Sequence, residues 1–425
     1  MKKVRFGVIG LGNMGSAHSR WIHESNSRDM ALGAVCDIVE EKAKKFGQQY
    51  DVPWFLDAEE MMDSGQIDAI LIAVPHYWHA PQAIMAARKG LHVLCEKPLS
   101  SSVGAARQMI AECDKHGVKF GAMLQQRTRA IMKKMKQMVE RGDLGEIFRV
   151  QMVCSNWFRT QAYYNSGDWR GTWDGEGGGV LINQAPHSLD LFQWIGGMPK
   201  SVMGMVATRD HDIEVEDTAN FLCDYGDGKV GYLYATTAEL PGYEEFRVSG
   251  DKGTLVSAGG ELRFGKLKTP LHKYTHTTKS TMGASKDQKI SWRTVPIGKS
   301  KGSHLEVTKA FAAWITRGKK PVATAAEAIN ELELSNAMYL AGFKNKTVEL
   351  PVDAAEMERL LTKLEKDRST GKGGNMRKEA TKVLSKLTRK SESKKKSKTR
   401  KKSKAAGKKT KGKKAKKGGK KKSKK

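Results

Sequence analysis

Val4-Arg5-Phe6-Gly7-Val8-Ile9-Gly10-Leu11-Gly12-Asn13-Met14-Gly15 is the stretch on which the fold turns. A short β-type apolar run ends in Gly-x-Gly-x-x-Gly, and a helix pattern opens at the last glycine. Gly10 permits a tight turn, Gly12 lets the backbone approach a diphosphate, and Gly15 lets the helix lie close on the sheet. The start of the helix, with Asn13 and Met14, offers N–H groups and the positive end of a dipole to the phosphates. The next apolar run, Leu32–Cys36, leads into Asp37, 22 residues after Gly15. A carboxylate there accepts hydrogen bonds from ribose hydroxyls and repels a 2′-phosphate. The stretch reads as a dinucleotide cradle that favours NAD over NADP.

Further along, apolar runs at Ala69–Val74, Leu91–Cys95 and Val118–Ala122 alternate with amphipathic, helix-length segments such as Ala80–Lys89 and Val103–His116. None of the runs is half-polar, which predicts a parallel sheet covered on both faces. Residues 1–122 are therefore expected to form an α/β, doubly wound dinucleotide-binding domain. Beyond it the pattern changes. A helix is predicted over Arg129–Arg141, an alternating strand over Ile147–Val153 and a helical segment over Val180–Ile195. β-type runs follow near 202–207, 218–224, 229–236, 244–249 and 253–257, and helices return at about Leu305–Thr316 and Ala325–Phe343. This predicts an α+β domain over 123–370 with an open, largely antiparallel sheet, whose free face suits a homo-oligomer. The Lys/Thr/Gly/Ser-rich stretch 265–302 reads as a mobile loop.

The formal charge of the 425-residue chain, +29, is concentrated at its end: residues 372–425 hold 27 Lys and Arg against two acids. The body is near neutral, which excludes a basic nucleic-acid-binding fold for the whole. Met376, Ala380, Val383, Leu384 and Leu387 mark one short amphipathic helix, but order is expected to fade from Gly371 onward, leaving 371–425 a disordered tail. Its polar end buries too little to offset an ordering cost of ~1–2 kcal/mol per residue. Without aromatics it offers no base stacking. It reads as a solvated extension, or as a non-specific tether to nucleic acid or another polyanion through residues 372–425. Five scattered cysteines, with no CxxC, argue for reduced thiols. No run reaches the ~18 apolar residues of a membrane span, and Gly7, Gly10 and Gly12 break the first apolar run too early for a signal peptide. A cytoplasmic protein is expected.

Three motifs carry chemistry. Glu96-Lys97-Pro98 closes a strand where doubly wound sheets bind ligands, and reads either as a ligand-facing pair oriented by the proline or as a surface ion pair. Gly177-Gly178-Gly179-Val180-Leu181-Ile182-Asn183-Gln184-Ala185-Pro186-His187-Ser188-Leu189-Asp190 places Asn183, His187 and Asp190 on one face if helical, with a kink at Pro186. His187 is then a base suited to neutral pH or a satisfied core histidine. Between them lie Trp157-Phe158-Arg159-Thr160-Gln161-Ala162-Tyr163-Tyr164 and Trp169-Arg170-Gly171-Thr172-Trp173. These aromatics and arginines suit a polyhydroxylated ring, with a hydrophobic plug or dimer contact as the other reading. The pairs His76/His79 and His272/His276 have ligand-like spacing, but the first has no acid or cysteine nearby and the second sits in the Lys-rich stretch, so no metal is expected.

Together, GxGxxG, Pro75 with His79, Glu96-Lys97-Pro98 and GGG…Asn183…His187…Asp190 resemble the Gfo/Idh/MocA family of nicotinamide-dependent oxidoreductases. The likeness runs from Met1 to about Leu364 and includes Gly142-Asp143-Leu144-Gly145-Glu146-Ile147 and Val348-Glu349-Leu350-Pro351-Val352. It implies a cofactor, NAD, held by Gly10, Gly12, Asn13, Met14, Gly15, Asp37, Pro75, His79 and Glu96. It also implies catalysis by Lys97 and His187, with Asn183 where the family often has aspartate. Arg159, Tyr163, Trp169, Arg170, Trp173 and Asp190 would then meet the substrate. The expected activity is hydride transfer at a sugar, glycoside or cyclitol hydroxyl. The other classes considered are a silent NAD sensor tethered by the tail and a reductase of a non-sugar carbonyl or imine.

Overall fold

The computed structural model describes residues 3–284 and 286–389. Its first sheet contains β1 (Val4–Ile9), β2 (Met30–Cys36), β3 (Trp54–Phe55), β4 (Ala69–Ile72), β5 (His92–Cys95) and β6 (Phe120–Ala122). All are parallel, in the order β3-β2-β1-β4-β5-β6. Every residue of β4 is buried, as is β5 apart from His92. Helices on both faces make these strands unbroken apolar runs, the pattern that betrayed them in the sequence. The strand order reverses between β1 and β4, so the loops leaving those strands diverge and open a crevice. The unpredicted β3 is two residues long, too short to leave a periodicity. One face of this sheet is completed from far along the chain. The helix His304–Arg317 sets Phe311 against Phe6, ring centroids 6.3 Å apart, and over Gly121, where a Cβ would meet the Phe311 ring at 2.7 Å.

The second sheet holds β7 (Ile147–Cys154), β8 (Ser201–Ala207), β9 (Thr218–Gly226), β10 (Lys229–Thr236), β11 (Glu244–Gly250), β12 (Gly253–Ala258), β13 (Glu261–Leu267), β14 (Ile290–Thr294) and β15 (Val348–Glu349). Their order is β14-β13-β12-β11-β7-β10-β9-β8-β15, antiparallel except where β7 meets β10. The helix Ala325–Lys344, buried continuously from Glu331 to Ala341, packs on β8 and on the helix Pro186–Gly196. The opposite face stays open, with Met203, Met205, Leu222 and Val230 each more than half exposed.

Three expectations are corrected. Residues 265–302 are not a featureless loop: β13 extends into them, the helix Leu271–Thr277 follows, and β14 pairs back on β13. All five residues of β14 are exposed, so pairing holds it and no burial pattern announces it. The helix expected from Val180 begins at Pro186. Proline is at its first position, where its missing N–H costs nothing, so there is no kink. Order also persists past Gly371. Residues 376–389 are helical, and Asp174 accepts hydrogen bonds from the N–H groups of Met376 at 2.9 Å and Arg377 at 3.1 Å. Arg377 pairs with Glu358 at 3.1 Å and Glu365 at 2.5 Å, and Ala380 is buried. These distant partners order a segment whose composition alone suggested loose chain. The rest of the basic tail lies outside the described residues. All five cysteines are buried and free. Among the described residues no helix is long and apolar enough to cross a membrane.

Candidate active site

The glycine turn follows β1 directly. Gly10 has φ +86°, and a Cβ on it would stand 2.7 Å from the Ala73 carbonyl oxygen. Gly15, in the first turn of the helix Asn13–Glu24, lies so close to that turn that a Cβ would strike the Gly10 carbonyl oxygen at 1.6 Å. Gly12 differs: no atom lies within 4 Å of its would-be Cβ. It is the N-cap, and no side chain caps the helix, so the first-turn N–H groups of Asn13 and Met14 remain available to an anion. Asp37 accepts hydrogen bonds from Leu11 N–H at 2.7 Å and Val39 N–H at 2.9 Å, tying the turn to the end of β2. Each of its oxygens keeps capacity for another donor. Room at Gly12, uncapped N–H groups and a carboxylate one strand away fit a dinucleotide.

Pro75 leaves the end of β4, half-buried on the same side of the sheet. His79 and Glu96, expected beside the cofactor, are both buried with their side chains hydrogen-bonded to protein groups. His79 is fully buried, its Nδ1 and Nε2 each 2.9 Å from a backbone carbonyl, of Pro98 and Val74. Glu96 Oε1 lies 2.7 Å from His18 Nε2, and its Oε2 accepts from Lys97 N–H at 3.1 Å. Burial works against the Glu96 charge, but the His18 hydrogen bond and the neighbouring His18, His304 and Lys97 prevail and hold it down to about 2.

Lys97 follows β5, and the 97–98 peptide is cis. Its Nζ donates to the Asn183 backbone oxygen at 2.7 Å and to Asn183 Oδ1 at 3.2 Å. Burial brings the Lys97 ammonium below the usual lysine range, against the pull of Glu96, Glu176 and Glu331. Asn183 Nδ2 donates to Glu176 Oε1 and, at 3.3 Å, to Tyr163 Oη. Tyr163 Oη also accepts from Arg170 Nη1 at 2.7 Å. The Tyr163 ring is flanked by Arg159 and Arg170, whose guanidinium carbons lie 4.5 and 4.6 Å from its centroid. Trp169 stacks under Arg170 and meets His76 edge-on. His187, in the first turn of the helix Pro186–Gly196, lies 2.9 Å from Gln125 Nε2, while its Nδ1 has no partner among the described residues. Burial first, and the Lys97 charge second, push His187 down to about 3, so the imidazole is neutral.

The fold thus links Lys97, Asn183, Tyr163, Arg159, Arg170 and Trp169 through direct contacts and sets His187 within reach of the Lys97 charge, while two expected substrate residues stay outside. Trp173 is fully buried between Tyr339 and Phe343, its indole N–H donating to the Glu214 carbonyl at 2.9 Å. Asp190, 1% exposed, is spent on Arg127, with 2.7 and 2.8 Å bonds. Sequence reasoning missed Gln125, Arg127, His18, His304 and Glu176. For Gln125 and Arg127 a signal existed: they follow β6, at the same carboxyl end of the sheet as Lys97. The outer side of Arg170 lines a separate cavity of about 520 Å³ with Glu214, Arg368 and Lys372; neither Lys97 nor His187 reaches it. Among the described residues no group of three His, Cys, Asp or Glu side chains could hold a metal.

Known proteins resemble this chain in sequence and fold. Residues 4–123 match the model of an oxidoreductase family with an NAD-binding Rossmann fold, and residues 132–256 match the GFO/IDH/MocA C-terminal domain. Myo-inositol 2-dehydrogenase of Thermotoga maritima is 25% identical over 263 residues, 60% of this chain and 75% of its own. The rhizopine catabolism protein MocA of Rhizobium meliloti is 26% identical over 237 residues, 55% of this chain and 71% of its own. The crystal structure of the WlbA dehydrogenase from Bordetella pertussis, with NADH and UDP-GlcNAcA, superposes with a TM-score of 0.70 at 27% identity, covering 83% of this chain and all of the other.

Proposed function

The chain belongs to the GFO/IDH/MocA oxidoreductase family, and from that premise we propose that it moves a hydride between NAD and a CH–OH carbon of a sugar, glycoside or cyclitol. The observation that carries this reading is the hydrogen bonding of Lys97 to Asn183, with His187 close enough to feel the Lys97 charge. NAD, when bound, supplies the acceptor for the hydride that leaves the carbinol carbon. Lys97 Nζ then donates to the substrate oxygen and stabilises negative charge as it develops there. His187 receives the hydroxyl proton. With the Gln125 amide turned so that its buried, unpartnered Oε1 accepts from His187 Nε2–H, Nδ1 holds the lone pair that takes it. The neutral state of His187 suits it to this step, and reduction runs the same transfers backwards.

Arg159, Tyr163, Trp169 and Arg170 form the substrate wall, their ring faces for C–H patches and their N–H and O–H groups for hydroxyls or a carboxylate. Relatives named for myo-inositol and crystallised with UDP-GlcNAcA support that class. Asp37 selects NAD over NADP. Copies associate through the open face of the second sheet. The test is NADH absorbance with the purified chain, NAD and a panel of sugars, glycosides, uronates and cyclitols. Turnover with one class, faster with NAD than NADP and abolished by Lys97→Ala and His187→Ala, is expected. A chain that binds NADH and turns over nothing in the panel would overturn the substrate class.

A further inference from the structure

Lys97 carries a half-buried positive charge, yet its two hydrogen-bond partners, both oxygens of Asn183, are neutral. The adjacent carboxylate, Glu96, is committed to His18 and to the Lys97 backbone N–H. Behind Asn183 stands a second carboxylate. Glu176 is 1% exposed; its Oε2 accepts from Gly171 N–H at 2.7 Å and its Oε1 from Asn183 Nδ2. An ionised carboxylate only accepts, so it dictates how the amide turns: Nδ2 toward Glu176, Oδ1 toward Lys97. A carboxylate at the nitrogen end also polarises the amide and makes the oxygen at the other end a better acceptor.

We propose that Glu176 is a positioning residue for the hydride-transfer reaction, acting through Asn183: its negative charge, relayed across the amide, holds the Lys97 ammonium charged and aimed. This deepens the function proposed above and rests on it. Glu176 faces Arg170 and Lys97, with Tyr164 and Tyr339 also close by, and its backbone carbonyl meets His76 Nδ1 at 2.9 Å. Lys97 faces Glu96, Glu331 from the helix Ala325–Lys344, and Arg159. Burial pushes Glu176 up to about 7. As the pH falls through that value the carboxyl takes up a proton, the relay loses its charge and Lys97 loses support. Activity therefore rises with pH through a limb that belongs to Glu176.

Four full-length proteins test this: wild type, Glu176→Gln, Asn183→Asp and the double variant. The Lys97 amine is titrated by competitive labelling with acetic anhydride, read by peptide mass spectrometry, and kcat/KM is followed against pH. Glu176→Gln is expected to lower the Lys97 pKa by about one unit, cut kcat/KM about tenfold or more and erase the limb near neutrality, with NADH affinity retained. In the double variant the carboxylate is moved to position 183, and both the Lys97 pKa and kcat/KM return toward wild type. A residue that merely held the loop through Gly171 would show no such rescue. An unchanged Lys97 titration in Glu176→Gln, or a double variant no better than the worse single, overturns the proposal. If Glu176→Gln does not fold, Asn183→Leu cuts the relay with Glu176 in place and must lower the Lys97 pKa to the same extent; no change there is equally fatal. The amine titration needs no substrate, so it decides the matter even if the sugar reading fails.

Discussion

Gly12 and Gly15 make opposite demands at the same turn. A Cβ on Gly15 would collide with the Gly10 backbone at 1.6 Å, whereas one on Gly12 meets nothing within 4 Å and the backbone there, at φ −70°, accepts alanine. Gly15→Ala should therefore destabilise the chain by about 3 kcal/mol, seen as a lower midpoint in urea. Gly12→Ala should leave that midpoint unchanged and weaken NADH binding about tenfold, ~1.4 kcal/mol, by taking up the room a diphosphate needs. Fluorescence titration with NADH checks the second arm. Equal effects of the two variants on stability would contradict the cradle geometry. At this scale local motifs left Lys97 and His187 open between a site and a structural role, and the family resemblance singled them out, with Asn183. The motifs could not separate Asp190 from a ligand-facing acid, since its partner, Arg127, stands 63 residues away.

Among the elements, the helix over 376–389 departs furthest from expectation. Its N-terminus is capped from outside by Asp174, on the same loop that carries Arg170 and Glu176. Removing this cap with Asp174→Ala should cost about 1 kcal/mol locally. Trypsin should then cut at Lys378 and Lys382 about fivefold faster, with NADH binding unchanged. Cleavage at the wild-type rate would mean that the Arg377 ion pairs alone hold the helix. The segment before His187 carries a similar lesson. Its apolar run looked helical from Val180, but Gly179 N–H and Leu181 N–H donate to the Glu216 carboxylate instead of continuing a helical ladder. A distant acid captured the backbone groups that local propensity had assigned to a helix.

For the molecule as a whole, the proposed pairing of copies turns on one sheet face. The open face of the second sheet aligns Met203 with Leu222, and Leu222 with Tyr232, across β8, β9 and β10. Leu222→Lys, more than half exposed and so harmless to the fold, should lower the mass measured by light scattering toward that of one chain. A wild type that is itself a monomer would refute pairing through this face. Truncation after Arg389 should leave kcat/KM intact while abolishing any salt-sensitive retention on heparin, since the stretch removed is almost wholly Lys, Ser, Gly, Ala and Thr.

What the sequence alone determined was the parallel sheet and its glycine cradle. Each of these rests on spacing within a few residues of one chain segment: buried strands are continuously apolar and a diphosphate needs glycine. Only the tertiary structure decided which polar side chains face the cleft and which support it. Asp190 is neutralised by Arg127, Trp173 is walled in by Tyr339 and Phe343, and Glu176 stands behind Asn183. A buried charge or indole takes its role from the partner that satisfies it, and those partners arrive only when distant segments pack together.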